Sequence, residues 1–471
     1  MIEDILVSVS PGETRIACLD RGRAVELHRF LHGRPAIAGN VYLGRITRMV
    51  PGLGAAFVEI GAAKAGFLPL PPEADSRQAI HEGARVVVQV TREPERDKGA
   101  QLSMTVRIPG RLLVFAPRGD GVHVARRIGE ETEGERLRAA ISAFAQAGEG
   151  WIARTNAFGA GGDELAREAQ TLRDLWAGIA VAAARAAPPA LIHREPPPIV
   201  RVLRDKAGRS LHRLAVDDRS AYGAAETFLR LYLPSAQAAL AYEEGPIPLF
   251  EREGIEAEFE AIQHRRVPLP SGGSLIIERT EALWAIDVNT GRNISGASAN
   301  ATILATNMEA AREIARQIRL RDLAGLLVLD FVHMEHDPSR QQVLDRLTAA
   351  LAEDPSPVRL SGFSELGLVE ISRRRTKPSL ADEFSTLCPA CEGGGTTPAP
   401  IVTALAASRA ALSEARTRSM AVVRIVAAPA VADSFTTPEG IAAREELSAQ
   451  LGRPVDIIAD STFAPDRFKL G

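Results

Sequence analysis

A chain of 471 residues exceeds what one ordinary core holds, so three or more structural units are expected. Hydrophobic residues at 45% and charged residues at 24% exclude a disordered or fibrous protein, and three cysteines exclude a disulfide scaffold. A net charge of −3 gives no global attraction for a polyanion, so binding one would need local basic patches and a metal.

The chain opens with ILVSVSPGETRIACLDRGRAVELHRF, which reads as short alternating strands with turns at Pro11-Gly12 and Arg21-Gly22. The start, MIEDILVSV, lacks the basic head and long apolar stretch of a signal peptide. Cys18 stands alone in an alternating apolar segment and reads as a buried small hydrophobe. NVYLGRITRMVPGLGAAFVEIGAAKAGFLPL adds strands punctuated by Pro51-Gly52 and Gly61, and ARVVVQV and AQLSMTV add two more. Short strands at this spacing suggest a small closed barrel.

From about Gly129 to Ala187 the period becomes helical, with Asp163 expected to cap the second of two helices. The Pro-rich stretch Ala187–Pro198 reads as a linker or rigid turn. Mixed elements continue to the turn Pro270-Ser271-Gly272-Gly273, and LIIERTEALWAIDVNTG then gives a hairpin. An amphipathic helix of about Ala299–Leu323 follows, with Gly325 as its stop. LLVLDFV has the composition of a buried strand. Beyond about Pro398 the pattern is an Ala-rich helix, the strand-like AVVRIVAAP, another helix and a polar tail. The longest apolar runs, such as Leu326–Leu329 and Ala177–Ala184, are far too short to span a bilayer, so a cytoplasmic location with no membrane partner is expected.

Two features carry chemistry. LWAIDVNTG and LLVLDFVHM each deliver an aspartate, Asp287 and Asp330, at the far end of an apolar strand. Joined by one helical crossover, the two would lie on adjacent strands, where neighbouring carboxylates repel unless a divalent cation sits between them. Hard oxygen ligands without His or Cys favour Mg²⁺ or Mn²⁺. Asn289, two residues on, would face the same side. Capping of a turn or helix start is the competing reading for each aspartate. The second feature is CPACEGGG, in which Cys388 and Cys391 form half of a zinc site. Structural zinc takes four ligands, and the same pair from a second subunit is the simplest completion; free or redox-active thiols are the alternative.

The strings IDVNTG, NMEAAREIARQIRLRDLAGL and LLVLDFVHM resemble the catalytic core of the bacterial ribonuclease E/G family. PSGGSLIIERTEAL upstream and GLVEISRRRTKPSL downstream extend the resemblance over nearly the whole chain, more weakly after about residue 400. The implied fold is α+β and multidomain. An RNase H-like domain (1–35 and 199–264) would carry an inserted S1-type OB-fold barrel (36–106) and a 5′-sensor region (107–198). A DNase I-like catalytic domain (265–387), a zinc-link (388–397) and a small C-terminal α/β domain (398–471) would follow.

The implied activity is endonucleolytic cleavage of single-stranded RNA, leaving 5′-phosphate and 3′-hydroxyl ends, in RNA processing and decay. Asp287 and Asp330 match the family's Mg²⁺ ligands, and Asn289 matches an assisting asparagine. Where the family usually has a second acid, in D-F-I-D-M, this chain has His333; alone, a histidine there reads as a satisfied structural one. Phe57 and Phe67 match stacking aromatics, and Lys98 matches an RNA-contacting lysine. By pattern alone Phe57 belongs in the barrel core, and the resemblance reverses that. Arg154 and Thr155, with Gly110 and Val114, match a pocket for a 5′-monophosphate, although Arg154 by itself reads as a solvated surface residue. Arg126-Arg127 match a further arginine pair, structural or RNA-facing. The resemblance also implies a homodimer linked by shared Zn²⁺, with pairing into tetramers left open, and no degradosome scaffold tail. A non-catalytic single-stranded RNA-binding protein of the same descent is the alternative, and a nuclease for DNA or structured RNA fits the aromatic barrel less well.

Overall fold

The computed structural model describes residues 2–33, 36–70, 80–94, 98–208, 210–291, 299–374, 379–386, 388, 390–391, 395–417, 422–464 and 466–471. They form two compact units, Met1–Glu383 and Phe384–Gly471. Part of the quoted string RRRTKPSL and part of the expected zinc-link, including Pro389, lie outside the described residues. Among the described residues no helix is long and apolar enough to cross a membrane.

The first unit begins with the antiparallel strands β1 (Asp4–Ser10), β2 (Glu13–Asp20) and β3 (Arg23–Leu31). Cys18 is buried among them, as its apolar surroundings predict. The next five strands are β4 (Val41–Val50), β5 (Ala55–Glu59), β6 (Gly66–Pro69), β7 (Arg85–Arg92) and β8 (Gln101–Ser103). Pairing of β7 back onto β4 closes them into a five-stranded barrel, consistent with an OB-type domain. Inward positions such as Ile46, Val58, Leu68, Val88 and Leu102 fill it.

A four-stranded sheet follows, made of β9 (Ile108–Pro109), β10 (Leu113–Ala116), β11 (Val122–Val124) and β12 (Gly150–Ala153). Helices α1 (Glu131–Ser142) and α2 (Gly162–Arg185) share a core with it around Trp151, whose ring stacks on Phe115 at 4.4 Å. Asp163 is not the cap of α2. Gly161 holds that position, and Asp163 sits with Glu164 in the first turn, where their charge favours the helix dipole. The Pro-rich stretch is more than a linker: β13 (Ala190–His193) within it pairs with β4. After α3 (Pro198–Lys206), strand β14 (Arg213–Val216) lies parallel to β1. Helix α4 (Arg219–Tyr232) leads to β15 (Leu240–Tyr242), giving the sheet order β15-β14-β1-β2-β3.

The last sheet of this unit has the order β16 (Arg266–Pro268), β17 (Ser274–Arg279), β18 (Leu283–Asn289), β19 (Gly325–Asp330), β21 (Leu368–Arg373), β20 (Val358–Phe363). The expected hairpin is β17–β18. The crossover helix α5 (Ala299–Leu320) and α6 (Asp337–Leu351) cover one face. Alternation explains this: Trp284, Ile286, Val288, Leu327 and Leu329 are buried, while Asp287, Asn289 and Asp330 point to the open side. Helix α5 stops earlier than Gly325 predicts. Asp322 takes the left-handed conformation (φ 53°), and the Leu323 N–H bonds the Ile318 carbonyl at 2.9 Å.

The second unit packs α7 (Pro400–Thr417) and α8 (Pro438–Leu451) on β22 (Val423–Ala427), β23 (Val455–Ala459) and β24 (Phe468–Leu470). The tail that reads as polar thus supplies two strands, because Val455, Ile457, Phe468 and Leu470 alternate with its polar residues.

Candidate active site and RNA-contacting residues

Strands β18 and β19 are parallel, and their register sets Asp287 directly opposite Asp330. Neighbouring strands lie about 4.8 Å apart, so two exposed carboxylates at the same level share one small volume. Asn289 sits on the same face, and its amide donates to Asp287 Oδ2 at 2.6 Å. Both aspartates line a cavity of about 260 Å³ with His333, Arg340, Phe363 and Leu366. Two carboxylates without a thiolate suit a hard cation that keeps water and phosphate in its shell, which is the Mg²⁺ pattern. Among the described residues no group of three or more His, Cys, Asp or Glu side chains is placed to enclose a metal.

The segment leaving β19 is pinned. Buried Asn307 of α5 donates to the Val332 carbonyl at 2.8 Å and accepts from the Val332 N–H at 3.1 Å. Arg340 donates to the Met334 carbonyl at 2.9 Å. His333 is not the satisfied structural histidine that its sequence suggests. It is exposed on the cavity wall and makes no hydrogen bond or ion pair with the described residues. Under the sheet, Arg373 bonds Asp354 at 2.8 and 3.1 Å and Asp322 at 2.7 Å, all three well buried. Burial pushes the Arg373 guanidinium down, but the two carboxylates outweigh it and raise it above its ordinary value.

On the barrel, Phe57 and Phe67 are register partners on β5 and β6, with ring centroids 6.1 Å apart at 69°. Both are half-buried on the outer side, because Ala56, Val58 and Leu68 take the inward positions. Arg48 of β4 is the register partner of Phe57 on the other side, exposed and without an ion pair among the described residues. Nothing in the local pattern marks it, since RITRM reads as an ordinary strand. Lys98 is exposed just before β8. The strand there runs so close to its neighbour that a Cβ on Gly99 would meet the Ala65 carbonyl oxygen at 1.9 Å.

Arg154 is about three-quarters buried rather than solvated. One terminal nitrogen donates to the Gly110 carbonyl at 2.5 Å and the other to Asp205 at 2.8 Å. Thr155 is exposed beside it, and Val114 lies in β10, paired with Pro109 and Ile152. A Cβ on Gly110 would lie 2.2 Å from Glu168 Oε1, so a side chain there would displace that carboxylate. That oxygen accepts the Leu112 and Leu113 N–H groups at 2.8 and 3.0 Å. Burial raises the Glu168 carboxyl against those two bonds. Arg126 and Arg127 are exposed.

In the second unit Cys388 is exposed and Cys391 half-buried. Backbone hydrogen bonds from Cys391 and Ala390 hold the Cys388 thiol below its ordinary value, which favours the thiolate that metal ligation needs. One chain supplies two sulfurs where a structural zinc takes four ligands.

A family model described as "Ribonuclease E/G family" matches residues 107–376. Ribonuclease G of Escherichia coli (strain K12) is 38% identical over 413 residues, covering 84% of each chain. Ribonuclease G of Haemophilus influenzae is 33% identical over 482 residues, covering 99% of this chain and 98% of that one. Ribonuclease E of Escherichia coli (strain K12) is 36% identical over 402 residues, covering 82% of this chain but 38% of that one.

Proposed function

The chain belongs to the ribonuclease E/G family, and from that membership we propose that it is an endoribonuclease cutting single-stranded RNA in RNA processing and decay. The observation that carries the reading is the register pairing of Asp287 with Asp330 at the mouth of one cavity. These two carboxylates would hold Mg²⁺, which when bound supplies an acidified water and charge neutralisation at phosphorus. Asn289 holds the Asp287 carboxylate in place, and Arg340 brings positive charge to the wall against which a phosphate would lie. In the reaction the water oxygen bonds to phosphorus and the P–O3′ bond breaks, leaving 5′-phosphate and 3′-hydroxyl ends.

The outer face of the barrel, with Phe57, Phe67, Arg48 and Lys98, would take unpaired bases and their phosphates. Arg154, Thr155, Gly110 and Val114 would hold a 5′-monophosphate, since a guanidinium beside a hydroxyl suits a terminal phosphate. The cysteine pairs of two subunits would share one Zn²⁺ and join a homodimer.

The test is cleavage of a labelled single-stranded RNA in Mg²⁺. Asp287→Asn and Asp330→Asn should each lower kcat on the order of a hundredfold or more, as expected for loss of a charge that acts on the transition state. Equal cutting by all three proteins would sink the site. His333, exposed on the cavity wall at the position where the resembled pattern D-F-I-D-M would place an acid, is what keeps the non-catalytic reading in view; tight RNA binding by a wild type that does not cut would select it. For the zinc link, Cys388→Ser should halve the mass in solution, and an unchanged mass would remove the shared site.

A further inference from the structure

Arg154 does not hold its own orientation. A guanidinium on a flexible stem recognises phosphate well only when its plane is fixed beforehand, since otherwise binding must order it. One of its two fixed points is the carbonyl of Gly110, which lies between β9 and β10. The other is Asp205, which lies outside that region, at the C-terminal end of α3.

Asp205 is itself held. Arg204 donates to the same carboxylate oxygen at 3.2 Å and turns its other side to Glu195 at 2.9 Å. Lys206, the next residue, pairs with buried Glu26 of β3. Burial pushes the Asp205 carboxyl up, but the Arg204 and Arg154 guanidiniums outweigh it and keep the group below the usual carboxylate range. The carboxylate is therefore charged at neutral pH and faces one edge of the Arg154 guanidinium. The Nε–H and the remaining terminal hydrogens of Arg154 make no bond with the described residues, and the exposed Thr155 stands next to it in the chain.

We propose that Asp205 is a positioning residue for 5′-end recognition: it fixes the Arg154 guanidinium so that its unpaired edge receives the terminal phosphate. The inference rests on the 5′-phosphate reading of Arg154 given above. It assigns part of that recognition to a segment remote in sequence from the pocket. The substrate class is RNA ending in a 5′-monophosphate, and the property at stake is discrimination against a 5′-hydroxyl end.

The experiment compares kcat/KM for two RNAs identical except for a 5′-monophosphate or a 5′-hydroxyl. The full-length wild type, Arg154→Ala, Asp205→Ala and Asp205→Asn are measured side by side. The expected result is a ratio that falls at least fivefold in Asp205→Ala. In Asp205→Asn, whose amide oxygen still accepts a hydrogen bond, it should fall about twofold. A purely structural role would depress both substrates alike and leave the ratio intact, and that outcome in the alanine variant overturns the inference. If Asp205→Ala does not fold, an unchanged ratio in Asp205→Asn overturns it instead. The underlying reading fails separately: a wild type without preference, or an Arg154→Ala variant that keeps it, removes the pocket itself. A preference lost with Arg154 but kept without Asp205 removes only the present inference.

Discussion

The two aspartates and the arginine pocket are fixed in opposite ways. Asp287 and Asp330 are aligned by main-chain register between two parallel strands, and among the described residues the Asn289 amide on Asp287 is the one hydrogen bond their exposed carboxylates receive. Arg154 is aligned by side chains and a carbonyl drawn from separate segments, Gly110 before β10 and Asp205 in α3. Register is maintained by every ladder bond and by the whole core beneath it, so no single neighbour decides where the acids stand. A guanidinium held at two points depends on each of them. Charges placed by the backbone should therefore resist substitution nearby, whereas charges placed by other charges should not.

Asp354→Ala tests the sheet most severely. It leaves Arg373 buried and half paired, and breaking such a pair typically costs about 3–5 kcal/mol. Urea unfolding should record that loss. The fraction that remains folded should still cut with the wild-type kcat, and a lowered kcat in folded protein would mean that register alone does not hold the acids. Glu168→Ala probes the pocket. It strips the Leu112 and Leu113 N–H groups of their acceptor, at about 1–3 kcal/mol for a buried group left unpaired. Here the 5′-monophosphate preference should drop along with stability; a preserved preference would show the pocket to be sturdier than its construction implies. The smallest effect belongs to the barrel. Arg48→Ala should make the salt dependence of single-stranded RNA binding shallower by about 0.7 in the logarithmic slope, the value for one lost phosphate contact. An unchanged slope would leave Arg48 outside the RNA path.

Much of the candidate site was legible because its placement is local. Apolar alternation puts Trp284, Ile286 and Val288 inside, and the aspartate and asparagine between and beyond them must then face out. The hairpin, the crossover helix and the second apolar strand follow from the same periodicities. The barrel face was less legible, since Phe57 lies directly between Ala56 and Val58 in a mostly apolar strand whose charged residue is Glu59. Asp205, Arg48, Asn307 and the Asp354–Arg373–Asp322 group carry no local signature. Each acts on a residue dozens of positions away or in a neighbouring strand, and an acid in RDK or an arginine in RITRM looks like any surface charge. The misplaced end of the crossover helix has the same origin. Asp322 ends the crossover helix, in a conformation usually left to glycine, with a carboxylate held by a strand that comes much later.

That last contact sets an order of events during synthesis. Arg373 follows Asp322 by 51 residues, so when the crossover helix leaves the ribosome its terminal turn still lacks the partner that neutralises the buried acid. The two aspartates of the candidate site can meet only after that turn reverses the chain. The nascent protein thus reaches its finished sheet late, once β21 has been made and has inserted beside β19.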